Sequence, residues 1–498
     1  MLAVFAGWLL LASIVIGLGE LALRVFPART LPPSLGDLFW AGFGALLLLL
    51  QPLQLVLPLG RGTLLGFIPI AAWGLAVLGR ALRRWRTRND FAMQLGAFGI
   101  AAVGLAWLAL APIGNADSGL YHLPMVTWLA RYRLVPGLAN LNPLFGLHTA
   151  YFLYLAIIDT GPWIDRVQHV GPSLLVLVLV FESLASLLTV FRRPLDASAE
   201  QIAGASILPP VLELTASPRD FSSCSADLAV GVLMLALLTR MVRIASDRER
   251  ALADAGVVAL LATEAVLVKL SLAVTAGVSL LVWLGLVLSR HCRLGGRVAG
   301  RASAIFAVGV AGWVARSVVL SGYPAFPAMI LPTGVSWQIS EAEAIVTSRY
   351  VLAWGRSSGG PAAPLLSGWG WFRPWALSLL SENQDFVVPV LVLVGGIVLL
   401  SLAAWRGPAG VGSLACVLLP FFSGLLFWLL TAPDLRFQRP VFWTLAAAVL
   451  TFALRATRSA AVERGAISAL ALCGVWLLSD APRPNPSLLA LAPAPAPE

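Results

Sequence analysis

Apolar runs of about twenty residues recur along almost the whole chain, and they restrict it to few architectures. Examples are "LAVFAGWLLLASIVIGLGELAL" (2–23) and "VLVLVGGIVLLSLAA" (390–404). An α-helix needs about 20 mostly apolar residues to cross about 30 Å of hydrocarbon. The strands of a membrane barrel would instead be short, with alternating polarity. The runs therefore predict an all-α, polytopic transmembrane protein.

The composition excludes the usual soluble classes. Of 498 residues, 59% are hydrophobic and 12% are charged, whereas soluble domains are about a quarter charged. The net charge of +10 comes from arginines in short loops, a pattern typical of a protein that orients itself in an inner membrane, not of one that binds nucleic acid. The four cysteines form no CxxC pair and predict neither a zinc site nor a disulfide framework.

Thirteen to fourteen membrane spans are expected. The first apolar run has no basic n-region and no small-residue cleavage site, so it is predicted to be a retained helix. The predicted spans are 2–24, 38–58, 62–80, 92–112, 167–190, 201–216, 225–243, 251–267, 270–289, 302–320, 387–405, 411–430, 440–456 and 465–479.

Arginine-rich loops predict the topology. The positive-inside rule places these loops in the cytoplasm: 80–88, 191–194, 239–250, 289–301, 405–407 and 454–458. The spans then alternate from residue 80 onward if the block 113–166 makes no net crossing. "YHLPMVTWLARY" and "GLHTAYFLYLAII" in that block would be helices at the outer surface or a shallow re-entrant pair.

Four regions follow from this topology. Residues 1–90 are expected to be accessory transmembrane helices, and 91–320 a core that includes the outer loop 113–166. Residues 321–386 form a long outer loop, and 387–498 supply the C-terminal transmembrane helices.

Unusual polar residues from five parts of the chain reach the outer side, which a site at a membrane face would require. The alternative is that outer loops simply contain polar residues. The set is Asp117, Tyr121, His122, Arg219, Asp220, Lys269, Tyr323, Asp434 and Arg436.

Asp117 follows a span directly and is the candidate general base or metal ligand. It could equally be the N-cap of a surface helix. His122 is a candidate for phosphate binding or proton transfer, or an interfacial histidine without a role. Tyr323, in "LSGYPAFP", ends a span before the longest outer loop.

Charges next to apolar runs are the other candidates. Asp227 lies within the start of an apolar helix, where an ionisable residue is costly and suggests function; a helix-start carboxylate favoured by the helix dipole is the alternative. Lys269 is the only lysine of the chain. Its compact ammonium suits an anionic ligand such as phosphate, although it could also be an interfacial anchor. Arg436 and Arg439 on the outer side oppose the positive-inside bias, which pairing with phosphate or with Asp434 would explain.

Several catalytic classes have no motif here. The chain has no P-loop, no GxGxxG in a βαβ unit, no HExxH and no nucleophile elbow. ATP and nucleotide sugars are absent from the outer face. A reaction there would need a membrane-borne activated substrate.

Four motifs occur in a defined order: "LAWLALAPIGNADSGLYHLP", "SCSADLAVGVLMLALLTRMVR", "VKLSLA" and "APDLRFQRPVFW". This series resembles the GT-C glycosyltransferases, integral membrane enzymes that use polyprenyl-phosphate-linked sugars, such as protein O-mannosyltransferases and aminoarabinose transferases. Asp117 matches the acidic residue of their first outer loop, Asp227 a later helix-start aspartate, and Lys269 a lysine turn associated with lipid phosphate. Arg436 and Phe437 match a late Arg-aromatic pair. No second acidic residue follows Asp117 directly, and three spans precede the first core helix.

The resemblance implies transfer of a sugar from a polyprenyl phosphate to a lipid, glycan or protein acceptor in the cell envelope. Asp117 would deprotonate the acceptor, Lys269 and Arg436 would stabilise the phosphate, and Asp227 would lie beside Asp117. His122, Arg219 and Tyr323 would shape the pocket. A divalent metal, on Asp117 if anywhere, stays open as the one cofactor. The rival functions are a lipid-linked glycan transporter and a surface-polysaccharide ligase or polymerase.

Overall fold

The computed structural model describes residues 1–26, 32–217, 220–247, 249–289, 292–357, 368–405 and 410–480. These residues are mostly helical and contain no strand, so the predicted all-α fold is confirmed. The first half comprises α1 Leu2–Leu23, α2 Leu35–Val56, α3 Arg61–Gly66, α4 Ile68–Arg86, α5 Phe91–Leu108, α6 Leu123–Arg131, α7 Ala150–Ala156, α8 Gly171–Arg192, α9 Ala199–Ser206, α10 Leu208–Ala216 and α11 Ala226–Ser246. The second half comprises α12 Arg250–Ala253, α13 Ala255–Val268, α14 Ala273–Leu288, α15 Cys292–Ser321, α16 Glu341–Arg356, α17 Phe372–Leu379, α18 Val388–Ala404, α19 Val411–Thr431, α20 Val441–Thr457 and α21 Ala460–Leu477.

Among the described residues, ten helices are long and apolar enough to cross a membrane, so this is a multi-pass membrane protein. They correspond to ten of the fourteen predicted spans. The other four predicted spans are also helical, but two are shorter apolar helices, α13 and α20. α4 ends in arginines, and the predicted span 201–216 is divided into α9 and α10 at Ile207. Pro209 and Pro210 in the first turn of α10 lack the N–H groups that would continue α9 through this point.

The loop 113–166, predicted to lie on the outer side, contains two helices of different character. α6 keeps an amphipathic pattern, burying Met125, Val126 and Leu129. α7, in contrast, is buried along its whole length, which is the environment of a re-entrant segment rather than of a surface helix.

A buried ion-pair network joins helices at the opposite end from this loop. Arg240 lies within α11 and is 2% exposed. It pairs with Glu182 of α8 and, at 3.3 Å, with Asp37 of α2. Arg243 pairs with Asp37 at 3.0 Å and with Glu200 at 3.1 Å. The prediction that 239–250 forms a basic loop was therefore wrong for its first residues, because α11 continues to Ser246 with both arginines inside the bundle.

α1 and α2 cross at close range because glycines line their contact. A Cβ at Gly42 would collide with the backbone of Val15 and come within 2.8 Å of Gly19 N. Gly104 in α5 provides the comparison, since it is also a helical glycine but an added Cβ there would meet nothing within 4 Å.

Gly42→Ala is expected to lower the melting temperature of the detergent-solubilised protein. Overpacking of this kind costs about 1–3 kcal/mol because the helices must separate. Gly104→Ala is the control and is expected to be neutral or stabilising, since alanine is the better helix former by about 1 kcal/mol. Equal melting temperatures for the two variants would contradict the close crossing.

Candidate functional site

The candidate site forms where four separate segments meet at one end of the bundle. Asp117 precedes a π-helical turn at Ser118–His122, and Asp227 lies in the first turn of α11. Lys269 is the extended residue between α13 and the turn that begins α14. Arg436 lies in a 3-10 turn, Leu435–Phe437, between α19 and α20.

Side-chain hydrogen bonds hold these segments together. Ser118 and Ser223 share a hydrogen bond of 2.7 Å between their hydroxyls, which links the first loop to the segment before α11. Ser271 Oγ donates to the carbonyl of Phe437 at 3.0 Å, and Gln438 Nε2 donates to the carbonyl of Ser271 at 2.7 Å. The turn after Lys269 is thereby fixed to the turn that carries Arg436.

The charged side chains at this junction form two ion-paired groups. Lys269 Nζ pairs with Asp227. Arg436 Nη1 lies 3.4 Å from Asp117 Oδ2, and Arg436 Nε lies 3.0 Å from Asp434 Oδ2. Asp117 occupies the N-terminal cap position of the following turn, but its side chain makes no capping hydrogen bond there; its carboxylate contacts Arg436 instead.

Phe437 brings the two cations to one place. Lys269 Nζ lies 4.1 Å from the centre of its ring, and the guanidinium carbon of Arg436 lies 4.9 Å from the same centre. The same guanidinium lies 5.5 Å from the ring of Trp354, which belongs to α16 in the long segment 321–386. An aromatic face within about 6 Å of a cation attracts it, so Phe437 helps to position both cations and Trp354 helps to position Arg436.

The site is partly open to ligands. The side chains of Asp117, Lys269 and Arg436 are 29%, 27% and 31% exposed, whereas that of Asp227 is 9% exposed. Asp227 therefore acts as a buried counter-charge to Lys269. The other three can contact a bound molecule.

Tyr121 and His122 form the buried side of this site. The His122 ring packs against Tyr121, with ring centres 4.2 Å apart, and lies 5.6 Å from Phe152. Burial lowers the pKa of His122 to about 4, against the opposing effect of Asp227, so the imidazole is neutral at neutral pH. Burial and the carboxylates of Asp117 and Asp227 raise the pKa of Tyr121 well above its usual range, which keeps its phenol protonated.

Residues 1–443 match the model of a protein family described as "Domain of unknown function (DUF8201)". The chain belongs to this family. Neither the curated proteins nor the solved structures contain a match. The family match spans every candidate site residue, from Asp117 to Arg436, together with Arg439.

Arg439 forms a second ion-pair cluster that sequence reasoning largely missed. It lies 3.2 Å from Glu213, 2.9 Å from Asp220 and 3.1 Å from Asp385. Burial raises the pKa of Asp220, while Arg439 opposes that shift. The predicted outer residue Asp220 thus contributes to helix packing through Arg439, and no sequence spacing indicated Glu213 or Asp385 as its neighbours.

Two other predicted residues have different outcomes. Tyr323 is buried in a separate cluster with Ala139, Phe326, Ile339 and Ala344, and the hydroxyl of Tyr323 accepts a long hydrogen bond of 3.5 Å from Gln338. Arg219 lies outside the described residues.

The surroundings of Asp117 do not suit a divalent metal. Within the described residues, no group of three or more His, Cys, Asp or Glu side chains lies close enough to hold a metal ion. The guanidinium of Arg436 already contacts Asp117, and it would repel a metal cation at that carboxylate. We therefore derive no step through a metal.

Proposed function

We propose that this protein is a membrane glycosyltransferase that moves a sugar from a polyprenyl phosphate to an acceptor at the outer face of a bacterial inner membrane. The observation that carries the proposal is the contact of Arg436 with Asp117 while Arg436 and Lys269 share the ring of Phe437. Transfer of a sugar from a phosphate leaving group needs a base for the acceptor hydroxyl and cations for the phosphate. One carboxylate and two cations lie within this partly open site.

The cations suit the phosphate of the donor. Charge-assisted hydrogen bonds from Arg and Lys to phosphate are short and strong. Lys269 and Arg436 are both about 30% exposed, so their side chains can turn from their carboxylate partners to a bound phosphate. Negative charge that develops as the sugar–phosphate bond breaks would be stabilised by these groups.

Asp117 suits the role of general base. The acceptor hydroxyl would attack the anomeric carbon and give its proton to the Asp117 carboxylate. The bond from the anomeric carbon to the phosphate oxygen would break, and the polyprenyl phosphate would leave with the electron pair. Binding of the phosphate to Arg436 competes with the Arg436–Asp117 pair and so frees the carboxylate to accept the proton.

The orientation follows from the charge distribution. Asp117, Lys269 and Arg436 lie at one end of the helices, whereas the arginine-rich stretches at 80–88 and 454–458 lie at the other ends of their spans. The positive-inside rule assigns the arginine-rich end to the cytoplasm. The site then faces the exterior, where polyprenyl-linked sugars are the available activated donors.

The test is transfer by the purified protein in liposomes that contain a radiolabelled polyprenyl-phosphate sugar. We expect Arg436→Gln to raise the KM for the donor about 10- to 100-fold, the worth of one hydrogen bond to a charged group. Arg436→Lys keeps the charge but loses the guanidinium fork. Its KM for the donor is therefore expected to lie between those of the wild type and Arg436→Gln. An unchanged KM in Arg436→Gln would remove Arg436 from the phosphate site.

The same liposomes distinguish the rival functions. Movement of the labelled lipid between leaflets without sugar transfer would identify a transporter and overturn the proposal.

The contact between Trp354 of the long outer segment and Arg436 favours one variant of the proposal, in which the acceptor is a long glycan lying along that segment. If the labelled sugar were transferred to a polysaccharide acceptor but not to short acceptors, the protein would be a ligase or polymerase of surface polysaccharide.

A further inference from the structure

A second polar cluster lies inside the bundle, away from the charged residues of the candidate site. It contains Gln51 and Gln54 of α2, His148 before α7, and Trp313 and Arg316 of α15, all of them buried. Arg316 is 2% exposed, and its Nη1 donates to Gln54 Oε1 at 2.7 Å. In the part of the chain that the structure describes, Arg316 Nε and Nη2 have no hydrogen-bond partner.

Several contacts bring these side chains together. Trp313 and Arg316 are three residues apart and share a face of α15. The rings of His148 and Trp313 are 4.6 Å apart, with an angle of 30° between them. Gln51 packs over Gly312, where an added Cβ would lie 3.4 Å from its amide group.

The cluster has an excess of unused donors and a positive charge. Across the described residues, Trp313 Nε1 and both ring nitrogens of His148 lack partners, as do the two Arg316 nitrogens; Gln51 Oε1 is an unpartnered acceptor of the same cluster. Burial lowers the pKa of His148 well below its usual range, and Arg316 lowers it further, so the neutral ring keeps one N–H to donate. No carboxylate in the described residues forms an ion pair with Arg316.

A buried guanidinium without a counter-charge is costly. Isolated charges lose much of their hydration on burial, and unsatisfied donors add about 1–3 kcal/mol each. Gln54 cannot supply the missing charge, because it is neutral and also donates to the carbonyl of Tyr132 at 3.3 Å. A bound anion would satisfy both the charge and the donors.

We propose that Arg316, Trp313 and His148 form an internal binding site for a small monovalent inorganic anion, for which chloride is the probe. The unpartnered atoms are closed to solvent, which favours a single-atom ion over a phosphate or a lipid headgroup. The site is distinct from Lys269, although Thr149, next to His148, donates to the carbonyl of Val268 at 2.6 Å. Bound chloride ties α2, α7 and α15 together, whatever reaction the protein catalyses.

Thermal unfolding in detergent tests this site, with chloride replaced by gluconate at constant ionic strength. Because a ligand of the folded state stabilises it by mass action, the melting temperature of the wild type is expected to rise with chloride and then saturate. Trp313→Phe removes one donor and is expected to raise the half-saturating chloride concentration about tenfold. Arg316→Gln is expected to lose the chloride response.

Arg297→Gln is the matched control, since Arg297 is an exposed arginine of the same helix, and it should keep the wild-type response. The same melting temperature in chloride and gluconate would overturn the proposal and assign the unpartnered donors to water. If Arg316→Gln does not fold, the test rests on Trp313→Phe. An unchanged half-saturating chloride concentration in Trp313→Phe would contradict the anion site.

Discussion

Asp117→Asn is expected to reduce the turnover number for sugar transfer about 100- to 10,000-fold, the usual contribution of a general base. Asparagine has nearly the same shape as aspartate but cannot accept the proton of the acceptor hydroxyl. Donor binding is expected not to weaken, because Lys269 and Arg436 remain and a neutral asparagine competes less than aspartate with the phosphate for Arg436. The loss should therefore appear in the turnover number and not in the KM for the donor.

Folding of this variant is expected to stay close to that of the wild type. The Asp117–Arg436 pair spans 3.4 Å between side chains that are 29% and 31% exposed, and exposed pairs contribute about 0–1 kcal/mol. Asp165→Asn is the control, because Asp165 is an exposed aspartate of the same loop, 113–166. Wild-type turnover in Asp117→Asn would eliminate the base assignment, and equal losses in both variants would show that the loop as a whole matters.

Residues beside apolar runs were the part of the site that could be predicted from sequence. A charge at Asp227 or Lys269 next to a hydrocarbon-like run is costly, so each one stands out without any knowledge of its neighbours. Arg436 stood out because it opposes the positive-inside bias. The structure brings these residues together with Asp117 at one end of the bundle.

The contributions of the long outer segment could not be predicted in the same way. Trp354 comes from a stretch without a membrane-spanning pattern, whereas Asp385 lies in the turn Asn383–Val387 that leads into α18. Their partners, Arg436 and Arg439, are about 50 or more residues away. The segment contains several aromatic and acidic residues, and only tertiary packing determines which of them contacts Arg436 or Arg439. Tyr323 illustrates the opposite error, since its position after a span suggested the site, but its ring packs in a separate apolar cluster.

Arg240 and Arg243 were misplaced for a different physical reason. The positive-inside rule depends on where arginines occur along the chain and contains no information about their depth. Three of the carboxylates that make burial of these arginines tolerable lie on α2, α8 and the start of α9; a fourth, Asp254, lies just before α13. Partners that far apart in sequence leave no local signal.

Arg240→Met is expected to destabilise the folded protein by about 3–5 kcal/mol, the usual cost of removing one partner of a buried ion pair. Arg240 is 2% exposed and contacts both Glu182 and Asp37. Within the described residues, its removal leaves Asp37 with Arg243 and the backbone N–H of Ser34. Glu182 keeps the indole N–H of Trp40, which donates to it at 3.1 Å. A fall in melting temperature in detergent would measure this loss.

Two companion variants separate the ion pair from a general effect of losing an arginine. Arg250→Met removes an exposed arginine that lies 3.6 Å from Asp247, and a surface pair of that kind contributes about 0–1 kcal/mol. The double variant Arg240→Met/Glu182→Leu replaces both charges by apolar groups, which is often neutral in a buried pair, so it is expected to recover much of the lost stability. If Arg240→Met melted at the same temperature as Arg250→Met, the network would not be the contact that joins α2, α8 and α11, and packing of their apolar faces alone would have to hold them.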